Sequence, residues 1–377
     1  LARNITPNEA IAIRGLNEEA LQVIDDYGRE YTDGFVFSHV LGYTGVSNSN
    51  SIIGKSGLEF QYDDLIRGED GRYVFYQDAL GRVLSQKVLK TPESKKPLYT
   101  TIDAGLQRQF YKAMKLNLES LSLKVGAGIA LNPKSGEVLA LVSFPGFDNN
   151  VFVDPLRSGE RSKILKDAAK PLFNRAVAGA YSPGSTIKPL VALSALRENI
   201  INPQSRIFSA GSLKIPNPYY PDSPSFFLDW KAHGWVDLAA ALAKSSNIYF
   251  YLIGGGLPQK ASIQELTAGT FRSSGLGIKK LYEYWNNFLF GRKTGIDMPF
   301  EAQGFLPNPD EKEKRTGEIW RLGDTYNVSI GQGDLLVTPI QLINFIASIA
   351  NNGIMFKPFI SKDAAAEIIL DYSDWTE

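Results

Sequence analysis

The segment Tyr181-Ser182-Pro183-Gly184-Ser185-Thr186-Ile187-Lys188 holds the residue types and spacing best suited to chemistry. Pro183-Gly184 is a turn, and the apolar run Leu190, Val191, Leu193 and Leu196 behind it has helical spacing. The spacing predicts Ser185 at a helix start, with Lys188 three residues on and on the same face. A serine hydroxyl is a weak nucleophile until a neighbouring base takes its proton. Lysine can be that base only when burial or nearby cations lower its pKa. A helix N-terminus adds N–H groups and positive potential where an oxyanion would develop. Taken alone, Ser-x-x-Lys recurs by chance, and a serine N-cap followed by a solvated lysine is the plain alternative. Pro189 argues for a constrained turn instead.

What is missing narrows the choice of base. The chain has no cysteine, which excludes thiol nucleophiles, disulfides and thiolate metal sites. Its two histidines, His39 and His233, cannot make a histidine-rich metal site. Structural or surface roles are expected for both, because Lys188 already offers a base. No loop has the oxygen-ligand spacing of a calcium site. The aspartates and glutamates could still bind a hard cation.

A second element is Lys244-Ser245-Ser246-Asn247. A small-residue helix, Val236 to Ala243, is predicted before it, and an apolar run, Ile248 to Leu252, follows. Ser245 and Asn247 would project from a short interhelical loop into the cleft of Ser185. There Ser245 can relay a proton to a leaving group, and the Asn247 amide can hold both Lys188 and a substrate carbonyl. An ordinary polar helix junction remains the competing reading.

Further elements must position these residues. A helix is predicted over Pro7 to Arg29, with Thr6 as N-cap and Pro7 at its first position. Tyr73–Tyr76 reads as a strand, Ala79–Arg82 as a turn into another, and Thr91–Pro97 as a linker. Leu98–Ile102 is predicted as a strand, with Asp103 capping a helix through Leu106, Phe110, Met114 and Leu118. Ala127–Leu131 and Val138–Ser143 read as strands joined by the turn Asn132–Glu137. Helices dominate from Ile187 onward, ending in an apolar helix from Pro339 to Asn351. Antiparallel strands ahead of a helical block make an α+β pattern. The aromatic residues Tyr219, Tyr220, Phe226, Phe227, Trp230 and Trp235 can wall a cleft, although core packing is the commoner use.

The pairing of Ser-x-x-Lys with Ser-x-Asn resembles the penicillin-recognising serine enzymes. Flanking words make it most similar to the monofunctional (class B) penicillin-binding proteins of the elongation type. They are Asn174-Arg175-Ala176, Thr101-Ile102-Asp103 with Leu106-Gln107, Asn132-Pro133 with Gly136-Glu137, Asp229-Trp230-Lys231, and Ser329–Gly333 with Thr338–Gln341. His39–Gly45 and Gly54–Glu59 look like that family's N-terminal pedestal. The resemblance covers nearly the whole chain. It implies a pedestal or dimerisation-type domain over 1–98 and a penicillin-binding, β-lactamase-like transpeptidase domain over 99–377.

The family also needs Lys-Thr/Ser-Gly on a sheet strand beside the nucleophile. Lys293-Thr294-Gly295 spells it, but Pro299 follows closely and Ile296–Pro299 reads as the end of a loop. The true motif is expected beyond residue 377, with the chain cut at both ends. On that reading the 1–377 chain acylates poorly.

The resemblance implies a catalytic set of Ser185, Lys188, Ser245 and Asn247, with neither a metal nor an organic cofactor required. It implies acylation of Ser185 by the D-Ala-D-Ala of peptidoglycan stem peptides, with β-lactams as inhibitors. It also implies a glycosyltransferase partner in the cell-wall elongation machinery, outside the cytoplasmic membrane, and an N-terminal anchor absent from this chain. A D,D-carboxypeptidase or β-lactamase, in which water replaces the acceptor amine, is the alternative enzyme. A non-catalytic β-lactam sensor or scaffold is the alternative outside catalysis. Forty basic residues balance forty acidic ones, so no electrostatic footprint for nucleic acid is present. No window of about 18 apolar residues exists to span a membrane.

Overall fold

The computed structural model describes residues 5–16, 18, 21, 23, 28–47, 51–69, 71–79, 83–91, 93, 95–216, 220, 222–257 and 266–376. It is an α+β structure in which every pairing between named strands is antiparallel. The chain divides into two compact units: Leu1–Ala178 with Gly295–Glu301 and Ala347–Glu377, and Gly179–Thr294 with Ala302–Ile346.

In the first unit the hairpin Gly126–Leu131 and Val138–Phe144 forms as the two apolar runs joined by the turn Asn132–Glu137 predict. Its second strand is almost entirely buried. The helix Ala104–Ser120, capped by Asp103 accepting from the Leu106 N–H at 2.9 Å, packs on that strand. Gln107 on this helix is fully buried and fully bonded. Its amide donates to the carbonyls of Val36 (2.9 Å) and Leu141 (2.8 Å), and its oxygen accepts from the Leu141 N–H (2.8 Å). One side chain thereby joins the helix Gly34–Leu41 to the sheet, which explains why a polar residue is tolerated there.

Two expectations need correction in this unit. The first helix has its capping box at Thr6 and Glu9 but ends at Gly15, and described residues 18, 21, 23 and 28–29 are not helical. Glycine disfavours helix interiors, and this helix buries no residue that would offset the cost. Leu98–Ile102 is irregular, with one bridge from Thr100 to Ser361. The strands Arg72–Gln77 and Val83–Lys90 pair as expected, while residues 80–82 of their turn lie outside the described residues.

The second unit is built around the helix Asn247–Gly255, whose residues Ile248 to Gly254 are all buried. The helices Lys188–Arg197, Gly277–Asn287 and Leu322–Ser329 surround it. Close approach depends on glycine: a Cβ at Gly254 would lie 1.9 Å from Ser329 Oγ. Strands also intervene where helices were expected to dominate. Arg206–Ser209 pairs with Gly234–Val236 and Thr267–Ala268, and Ser212–Ile215 pairs with Ser225–Leu228. The predicted small-residue helix is present as Leu238–Ala243, capped by Asp237. The apolar helix Pro339–Ala350 also forms, within a residue of expectation. Among the described residues, no helix is long and apolar enough to cross a membrane.

Candidate active site

Ser185 lies on the 3-10 turn Gly184–Ile187, and Lys188 is the first residue of the helix Lys188–Arg197. Three residues per turn set positions i and i+3 above one another, so the tight turn aligns the pair more directly than the expected α-helical start. Pro189 suits the first helical turn because its missing N–H would have no intrahelical partner there. Ser185 is exposed, and its hydroxyl and N–H have no hydrogen-bond partner among the described residues. Lys188 is 1% exposed.

The Lys188 ammonium donates three hydrogen bonds: to the Ser245 carbonyl (2.9 Å), Ser245 Oγ (3.0 Å) and Asn247 Oδ1 (2.8 Å). All three acceptors are neutral. Burial pushes its pKa down to about 8, while the charge of Asp229 acts in the opposite direction. Nζ also stands 5.3 Å from the centre of the Phe250 ring. Ser245 has φ of +51°, a left-handed conformation that is uncommon for serine. This backbone turns both its carbonyl and its hydroxyl onto Lys188. Asn247 starts the helix Asn247–Gly255, and its amide nitrogen donates to the Leu228 carbonyl at 3.2 Å. One amide hydrogen therefore remains for a further acceptor.

The words around these residues position the site. Gly331 has φ of +74°, and its carbonyl accepts from the Gly184 N–H at 2.8 Å. A Cβ at Gly331 would come within 2.1 Å of the Gly184 oxygen, one residue before Ser185. Tyr181 and Val337 exchange backbone bonds of 2.9 and 2.8 Å, and Leu336 does the same with Phe305 at 3.0 and 2.7 Å. The segment before Ser185 is thereby hydrogen-bonded to the 336–337 backbone. Sequence reasoning quoted Gly331 and Asp229 but gave them no role, because their effects depend on contacts remote in the chain.

The lysine of the other candidate word is placed differently. Lys293 is exposed, and Lys293–Ile296 is a loop without strand pairing, as Pro299 implies. Asp297 explains that loop: its carboxylate accepts from Ile360 N (2.7 Å), Ser361 N (2.8 Å) and Tyr62 OH (2.6 Å). His39 is buried, bonded through Nε2 to the Pro171 carbonyl at 2.7 Å, and burial pushes its pKa down to about 4. His233 is not on the surface: its side chain is 1% exposed. The aromatic residues are not core residues as a group. Trp230 and Phe226 are 61% and 58% exposed, whereas Phe227 packs on Tyr251 and Tyr326. Tyr219 lies outside the described residues. Among the described residues, no group of three or more His, Asp or Glu side chains is gathered to hold a metal ion.

Residues 126–375 match the penicillin-binding protein transpeptidase domain, and residues 1–100 match the penicillin-binding protein dimerisation domain. The chain is 33% identical to the peptidoglycan D,D-transpeptidase MrdA of Haemophilus influenzae, over 99% of this chain and 56% of that protein. It thus spans about half the length of that relative. A penicillin-binding protein (PBP2) from Helicobacter pylori has a similar structure, with a TM-score of 0.73 and 29% identity over 93% of this chain and 63% of that one. The complex of PBP2 and MreC from Helicobacter pylori gives a TM-score of 0.71 and 30% identity, over 90% and 60% of the two chains. With the transpeptidase domain accounting for most of its length, the chain belongs to the penicillin-binding protein transpeptidase family.

Proposed function

We propose that this protein is a serine-type peptidoglycan D,D-transpeptidase of the elongation kind, with Ser185 as nucleophile and Lys188 as its base. The observation that carries the reading is a buried lysine, held by Ser245 and Asn247 through neutral acceptors, one tight turn from an exposed serine. A neutral Lys188 gives up one donation and presents a lone pair to the Ser185 hydroxyl. Ser185 Oγ then bonds to the penultimate D-Ala carbonyl carbon as its proton passes to Lys188. The C–N bond to the terminal D-alanine breaks, and the departing amine takes the proton from Lys188 through the Ser245 hydroxyl. The amine of a second stem peptide attacks the resulting ester, the C–O bond to Ser185 breaks as the amine's proton passes through Lys188 to Ser185 Oγ, and the new amide closes the cross-link. The free Ser185 N–H supplies one oxyanion donor. The second Asn247 amide hydrogen orients the substrate carbonyl.

In this reading residues 1–98 form the pedestal and 99–377 belong to the transpeptidase domain, which the family matches at 1–100 and 126–375 support. β-Lactams acylate the same serine. The enzyme works at the outer face of the cytoplasmic membrane through an N-terminal anchor, beside a glycosyltransferase. The complex of a similar PBP2 with MreC supports a place in such an assembly. The test supplies full-length protein and its glycosyltransferase with lipid-linked substrate and separates the products. Cross-linked dimers that vanish in Ser185→Ala are expected. Release of D-alanine without dimers would identify a hydrolase, and product formation by Ser185→Ala would overturn the assignment.

A further inference from the structure

Beneath the Ser245–Asn247 loop lies a buried carboxylate whose bonds go to the loop and to the chain that precedes it. Asp229 Oδ2 accepts from Ser246 Oγ (2.8 Å), the Ile248 N–H (3.2 Å) and Ser209 Oγ (3.1 Å). Oδ1 accepts from the Trp230 N–H at 2.9 Å. Ser246 is the N-cap of the helix Asn247–Gly255, so the carboxylate sits at the end where helix dipoles favour negative charge. It holds the residues on either side of Asn247 and immediately after Ser245. Those two residues supply all three acceptors of Lys188. Trp230 extends the same clamp, its indole N–H donating to the Lys244 carbonyl at 3.0 Å.

We propose that Asp229 is a positioning residue: its carboxylate fixes the Ser245–Asn247 loop against Lys188 and supplies the negative charge that balances that lysine. The inference rests on the assignment of Lys188 as base. Three neutral acceptors alone would leave a buried ammonium without a counter-charge, and a base that is too acidic takes a proton poorly. Asp229 supplies the opposing charge without touching Lys188, so the amine stays free of a direct ion pair that would lock it protonated. Its Coulomb effect on Lys188 is indeed to raise the proton affinity against the fall that burial causes. Four other titratable groups face this array. The His233 imidazole lies 3.7 Å from Asp229, and Tyr251 is pushed up to about 12 by burial and by Asp229. Lys231 lies over the Trp230 ring, and Lys244 is exposed on the loop.

The test measures acylation by fluorescent penicillin against pH in the full-length protein. In the wild type the rate rises with pH as Lys188 loses its proton near 8. Asp229→Asn keeps the shape and removes the charge, so the rising limb moves to lower pH by on the order of one unit, with a lower plateau. Ser246→Ala removes one strut and keeps the charge, so the plateau falls several-fold while the limb stays in place. His233→Gln leaves the limb in place. A limb unmoved in a folded Asp229→Asn protein would overturn the electrostatic part, as would an equal shift in His233→Gln. A Ser246→Ala plateau equal to wild type would overturn the clamp. If Asp229→Asn does not fold, Ser246→Ala and Ser209→Ala decide the clamp alone. Wild-type protein that does not label at Ser185 would instead defeat the assignment of the active site.

Discussion

Two lysines buried in the same unit show opposite solutions to one problem. Lys312 is 8% exposed and meets carboxylates, Asp324 at 2.8 Å and Glu318 at 3.7 Å. Lys188 is 1% exposed, and its hydrogen-bond partners among the described residues are all neutral oxygen atoms. Through its bond to Asp324, Lys312 ties the helix Pro309–Thr316 to the helix Leu322–Ser329. Neutral acceptors with one remote carboxylate leave the second lysine close to the point of losing its proton. The sequence shows two lysines in ordinary helical surroundings, and partner chemistry separates structure from catalysis. Lys293 makes a third case, because a matching tripeptide around an exposed lysine has neither form of control among the described residues.

The largest break in this comparison should come from Lys188→Met. Acylation by penicillin should fall by about 10³-fold, as expected for losing a general base. The melting temperature should hold, because a buried cation is replaced by an apolar chain of similar volume. A mutant that labels within tenfold of wild type would remove Lys188 from the mechanism.

Gly331→Ala comes next. Its Cβ would meet the Gly184 oxygen, and φ of +74° disfavours any side chain. The Ser185 turn must shift, and acylation should drop by about 10²-fold. Stopped-flow labelling should show the loss in the acylation step, and an unchanged rate would show that the turn does not need this contact.

The pH dependence sharpens the comparison further. Lys188 has a folded-state pKa near 8 against an ordinary value of 10.5, so between those values the unfolded chain binds more protons than the folded one. Stability relative to Lys188→Met should therefore rise as pH climbs from about 8 to 10.5, by on the order of 3 kcal/mol. Denaturant titrations at pH 7 and 10 would check this, and a falling difference would reverse the sign. The smallest effect on activity belongs to Lys312→Met, which should label within about threefold of wild type. It should lose about 2 kcal/mol of stability, because Asp324 is left without its cation.

Legibility in the sequence followed the range of the interactions involved. Ser185 and Lys188 were readable because one turn sets their relation, and the Thr6 and Asp103 caps were readable for the same reason. Ser245 and Asn247 were readable as words, but the left-handed backbone that turns Ser245 onto Lys188 was not. The first helix stops at Gly15, short of its expected end, because the start signals at Thr6 and Pro7 say nothing about whether a core exists to receive a longer helix. Strands between Arg206 and Val236 are not legible because each has only three or four residues, too few to show a period. Asp229 and Gly331 stood in recognisable words without a role, since one acts through buried bonds and the other through the absence of a Cβ.

The most direct measurement is to locate the covalent adduct. Full-length protein treated with penicillin and digested should yield one modified peptide, that containing Ser185, carrying the mass of the intact β-lactam. Lys188→Met should slow its appearance, and Ser185→Ala should abolish it. An adduct on any other residue, or one that persists without Ser185, would contradict the account.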